Sequence, residues 1–163
     1  MSEETEYLSK VVVPLVTFAL GFFVSRLTMT KAERAEHKHR MFKETKTLLK
    51  EQEALFNDLT GALKKYIDSE EPTFDNFYDI STAGERYLYG KKILADAILT
   101  NSVEPLVRDE TFVPQIVDCA NSLLPRIYSA LQDIADKQGF AYEGELDRKK
   151  YQSIFTVAEK YGR

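Results

Sequence analysis

The stretch LSKVVVPLVTFALGFFVSRL, from Leu8 to Leu27, decides how the rest of the chain is read. Between Lys10 and Arg26 lie 15 residues without a charge, and Thr17 and Ser25 are the only polar side chains among them. Wound as a helix, Leu8 to Leu27 rises about 30 Å, the hydrocarbon thickness of a bilayer once Lys10 and Arg26 snorkel toward the headgroups. The pattern predicts one transmembrane helix over 8–27. Pro14 falls in its first turns, where a missing N–H matters least, and Gly21 offers a flat spot to a neighbouring helix. Two other readings compete. A cleaved signal peptide wants a basic start and a small-residue cleavage site, whereas this chain opens with Glu3, Glu4 and Glu6. A buried core helix would not avoid charge on every face.

Flanking charge orients the segment. Three Glu precede it; Arg26, Lys31, Arg34, Lys38, Arg40, Lys43 and Lys46 follow, against Glu33, Glu36 and Glu44. The positive-inside rule then predicts a single-pass protein of the inner (cytoplasmic) membrane, with its N-terminus outside and its C-terminal domain in the cytoplasm. The expected divisions are a short acidic tail (1–7), the transmembrane helix (8–27), a basic juxtamembrane stalk helix (28–50) and a cytoplasmic helical domain (51–163).

Composition agrees with one domain of ordinary size beyond the apolar segment. The chain has 163 residues, a net charge of −4 and a single cysteine, Cys119, so no internal disulfide framework is available. From Glu51 onward there are 20 acidic and 13 basic side chains, a balance that excludes a broadly basic surface for duplex nucleic acid. The basic residues next to the apolar segment suit an anionic lipid surface.

Periodicity predicts helices throughout. From Lys31 to Ile67 only Gly61 interrupts a helix of roughly 37 residues, on which Phe42, Leu49, Phe56 and Leu63 recur every seven residues beside Met41, Leu48, Leu55, Leu59, Ala62 and Tyr66. That broad double row suits packing on the chain's own core and on another subunit, hence a homo-oligomer. Pro72 ends this helix. A second is expected from Thr73 or Asp75 to about Asn101, weakened by Gly84 and Gly90. A third runs from a Thr111 cap to Lys137 with a kink at Pro125, and a last covers about Glu145 to Tyr161. The expected fold is all-α: a single transmembrane helix followed by a cytoplasmic bundle of about four helices.

The chain lacks Walker A, GxGxxG, GxSxG, HExxH and CxxC motifs. His37 and His39 lie about 200 degrees apart around a helix and cannot share a metal ion. Cys119 sits in an apolar run with no later His to activate it. Catalytic residues, metal ligands and cofactors are therefore not expected. Two clusters stand out as candidates for holding an anion. GERYLYGKK (84–92) interleaves Arg86, Lys91 and Lys92 with Tyr87 and Tyr89, the composition that grips phosphate while stacking on a base; DRKK (147–150) adds Arg148, Lys149 and Lys150. On a helix, however, Tyr87 and Leu88 also fit a buried row and the lysines a solvated face.

A short N-terminal membrane anchor, a basic stalk and a small helical domain without catalytic residues resembles the cyclic-oligoadenylate-binding membrane effectors of type III CRISPR defence systems. The resemblance is one of architecture across the whole chain. It implies an oligomeric antiviral sensor that binds a cyclic nucleotide across subunits and signals through its membrane segments. The alternative, from another class, is a membrane-tethered scaffold whose helical domain docks a protein partner.

Overall fold

A computed structural model describes residues 31–162, and every regular element in it is helical. The first helix, α1 (Lys31–Ile67), is followed by α2 (Phe74–Leu99). A third rod begins with α3 (Pro105–Val107) and continues through α4 (Val113–Asp118) and α5 (Leu124–Gln138); two π-helical turns, Arg108–Phe112 and Cys119–Leu123, join these pieces. The last helix is α6 (Gln152–Tyr161). The chain divides into two units, Met1–Arg40 and Met41–Arg163. The core and the grooves described below belong to the second.

The expected architecture needs correcting at its head. Among the described residues no helix is long and apolar enough to cross a membrane. The apolar stretch 8–27 and the tail before it lie outside the described residues, so the transmembrane helix expected there is no part of the observed fold. What the described chain forms is four helical rods without a strand.

Local chemistry explains where the rods start and stop. Thr73 caps α2 through a capping box: its hydroxyl accepts from the Asn76 N–H, and the Asn76 side chain accepts from the Thr73 N–H. Gly139, at φ 69°, closes α5 in the left-handed conformation that glycine adopts without strain. The third rod was expected to start at Thr111; instead it starts after Glu104, whose carboxylate accepts from the Val107 N–H at 2.9 Å. Thr111 lies inside a π turn.

Proline accounts for both π turns. Pro114 and Pro125 lack an N–H and crowd the carbonyl four residues back, so the helix before each must widen. The N–H groups of Val113 and Leu124, one residue ahead of each proline, reach back five residues to the Arg108 and Cys119 carbonyls. The rod thereby passes two prolines without breaking.

The last helix is shorter than expected. Residues 140–147 carry no helix, and Asp147 accepts from the Lys149 N–H at 2.8 Å in a side-chain turn of the kind that short carboxylates favour. The basic run DRKK is therefore a turn ahead of α6. Its next residue, Tyr151, is fully buried and places its hydroxyl 3.1 Å from that of Tyr128 on α5.

The main core gathers Leu88, Leu94 and Ile98 of α2, Phe112 and Ile116 of the third rod, and Ile154 of α6. A smaller cluster around Phe77, Ile80 and Leu131 closes the other end of α2. On α1 the inward row is Thr45, Gln52 and Leu59. The Thr45 hydroxyl accepts from the Glu104 N–H at 2.9 Å, tying α1 to the head of the third rod. Gly90 of α2 is not a defect in the middle of a helix. A Cβ at Gly90 would run into the Leu55 side chain of α1, so the missing side chain lets the two helices approach. Gly61 differs, with nothing within 4 Å of an added Cβ. Gly61→Ala is accordingly expected to stabilise the protein by about 0.5–1 kcal/mol. The gain would show as a higher urea midpoint at unchanged slope.

Candidate functional site

Consecutive residues on a helix point about 100 degrees apart, so the run from Gly84 to Lys92 cannot face one ligand. The fold distributes the eight candidate residues over separate surfaces.

Tyr87 and Lys91, one turn apart on α2, turn toward α1 and the third rod. They line a groove of about 340 Å³ whose walls include Phe56 and Gln52 of α1 and Phe112 and Gln115 of the rod. Lys91 is only 5 % exposed. Its Nζ donates to Gln115 Oε1 at 3.0 Å and lies 5.0 Å from the centre of the Tyr87 ring. Among the described residues it has no ion pair. Burial pushes its pKa below the usual lysine value, opposed by the neighbouring Cys119 thiol. Across the groove, Gln52 Oε1 is buried without a hydrogen-bond partner. Glu53 and Asp118 stand exposed at the rim. The Phe56 and Tyr87 rings, 6.0 Å apart and tilted at 54°, form an aromatic wall.

Arg86, Tyr89 and Lys150 meet on another surface. They border a depression of about 450 Å³ floored by Leu55, Gly90 and Ile93. Here the two basic clusters do come together, since Lys150 Nζ lies 3.5 Å from Glu85 Oε1. That contact also gives Lys150 a carboxylate. Lys92 is satisfied within its own helix by Asp96 at 2.7 Å. The Arg148 guanidinium lies 4.3 Å from the centre of the Phe155 ring, and Lys149 is a solvated residue of the turn.

The groove at Lys91 holds the sharper chemistry. A buried ammonium bonded to a neutral amide keeps most of its desolvation cost, and a buried amide oxygen without a donor adds to that cost. A buried charge in a cleft makes this groove the candidate site. Cys119 is fully buried and its thiol is pushed up to about 11, first by burial, so it supplies no nucleophile to the groove. Among the described residues no three His, Cys, Asp or Glu side chains cluster to hold a metal ion.

Sequence reasoning placed Tyr87 and Lys91 among its candidates but missed Gln52 and Gln115. Gln52 shares a spacing of seven with Thr45 and Leu59, and it is the fold that turns this row inward. Gln115 carries no such signal, because only the fold brings it across from Lys91. Compared with protein-family models, curated proteins and solved structures, the chain matches none.

Proposed function

We infer that the helical domain is a non-enzymatic binding module for a small anionic ligand, seated in the groove between α1, α2 and the third rod. The observation that carries this is Lys91, an ammonium almost wholly buried and, among the described residues, without an ion pair to neutralise it. A ligand carboxylate or phosphate supplies the missing charge, and buried charge is stable only when so paired. The half-exposed Phe56 ring, backed by Tyr87, offers a face to a flat apolar body, and Gln52 Oε1 accepts from a donor on it.

The rim limits the ligand further. Glu53 and Asp118 would repel additional phosphates, so one anionic group with a neutral or cationic remainder fits best. A cyclic oligonucleotide of the kind implied by the architectural resemblance would offer Lys91 one phosphate and set its others against these carboxylates. A mononucleotide or an aromatic carboxylate matches the charge pattern better.

The test is calorimetric titration of the full-length protein with aromatic carboxylates, nucleoside monophosphates and cyclic dinucleotides. Binding of an aromatic compound with a single anionic group, lost in Lys91→Met, is the expected result. Binding that survives Lys91→Met but is lost in Arg86→Ala would move the site to the depression at Arg86 and Tyr89. Indifference to every compound would overturn the reading.

A further inference from the structure

The outer edge of α1 presents Phe42, Leu49 and Phe56 to solvent, 60 %, 41 % and 50 % exposed. Spaced seven residues apart, they form a row about 20 Å long that stays nearly parallel to the helix axis. The neighbouring row, Thr45, Gln52 and Leu59, is buried against the domain. The domain thus covers the neighbouring, largely polar row and leaves the apolar half of the outer edge open. Beside the open half stand Lys46 and Glu53, also seven residues apart, both exposed and neither in an ion pair among the described residues.

We propose that this face of α1 pairs with the same face of a second copy of the chain, the two helices running antiparallel. Charge selects both the occupant and the direction. With a two-fold axis passing between Leu49 and Lys50, Lys46 of each copy falls opposite the second copy's Glu53, twice over. Phe42 and Phe56 then interleave on either side of the central leucines. A parallel pairing brings Lys46 to Lys46 and Glu53 to Glu53, which repels. Three large apolar side chains in one exposed row also make the kind of patch that marks an interaction surface. Leu49 and Phe56 border the groove at Lys91 as well, so the seam runs along its rim. The inference does not rest on the ligand, because the apolar row and its flanking charges are there whether or not the groove is filled.

Sedimentation of the full-length protein over a concentration series tests the proposal. The expected result is a dimer that Leu49→Glu with Phe56→Glu converts to monomer, circular dichroism remaining unchanged because both positions are exposed. Lys46→Glu and Glu53→Lys are each expected to weaken dimerisation on the order of tenfold, since two attractive contacts become repulsive. The two reversals combined should restore it to within about twofold of the native chain. A protein that stays monomeric, or an association indifferent to Phe56→Glu and to both charge reversals, overturns the proposal. Single reversals that weaken the dimer without rescue by the double reversal overturn the antiparallel register.

Discussion

Tyr151→Ala is expected to cost the fold about 4 kcal/mol, in the range measured when a buried aromatic side chain is truncated. The side chain is fully buried at the head of α6, wedged edge-on against Tyr128 with ring centres 6.4 Å apart. Truncation opens a cavity in the main core and strips the Tyr128 hydroxyl of its 3.1 Å partner. Tyr151→Phe separates these two losses: the ring stays, so only the hydrogen bond goes, at about 1 kcal/mol. Urea denaturation of the two variants reads the difference directly. The pair also sets an alkaline limit. Burial is the largest cause raising both phenols above their ordinary value near 10.0, so the folded protein holds their protons after the unfolded chain has released them. Their contribution is therefore complete below pH about 10 and fades as pH climbs beyond it. Tyr128→Phe should make stability above pH 10 fall less steeply than in the native chain.

Much of the helical layout was legible because its signals are local. The start of α2 at Thr73, the break at Pro72 and the end of the third rod just past Lys137 are set by chemistries of neighbouring residues, and each falls where spacing places it. The two prolines of the third rod were legible as disturbances but not in their outcome. Whether a helix stops or widens at proline depends on the packing that holds the rod together, and here Phe112 and Cys119 of the π turns are buried in the main core. The final helix was overextended because Leu146 and the basic run resemble a helical surface, while Asp147 favours a turn. The membrane helix expected over 8–27 is the correction of largest consequence, since it governed the reading of everything after it.

The two basic clusters are divided by the fold for a different reason. Adjacency in sequence implies separation around a helix, so a run of basic and aromatic residues reads as one site only until the helix is wound. Arg86 and Tyr89 go one way, Tyr87 and Lys91 another, and Lys92 turns to Asp96. The residue pairs that do share a groove, Lys91 with Gln115 and Gln52 with Tyr87, are far apart in sequence. They are found through the cost of burial rather than through composition.

Lys91→Met should stabilise the unliganded protein by about 0.5–2 kcal/mol while weakening ligand binding some 10- to 100-fold. The two effects share one cause. In the native fold the ammonium has lost its water and gained a single neutral acceptor at 3.0 Å, and burial lowers its pKa. Methionine fills a similar volume without a charge to desolvate, so the gain falls in the range typical of relieving strain at a functional position. The lost binding corresponds to a charge-assisted hydrogen bond. The pH dependence carries the sign. Because the folded pKa lies below the unfolded value near 10.5, the unfolded chain binds more protons between the two, and native stability rises with pH through that window. The methionine variant lacks this rise, so its advantage is greatest below the window and disappears above about pH 10.5. A lysine retained for packing or for its bond to Gln115 gives the opposite result: Lys91→Met would then destabilise the protein, and no pH would reverse it. Thermal or urea unfolding at pH 7 and pH 10.5, with and without an aromatic ligand bearing a single anionic group, decides between a lysine that holds the fold together and one that the fold strains to keep for a ligand.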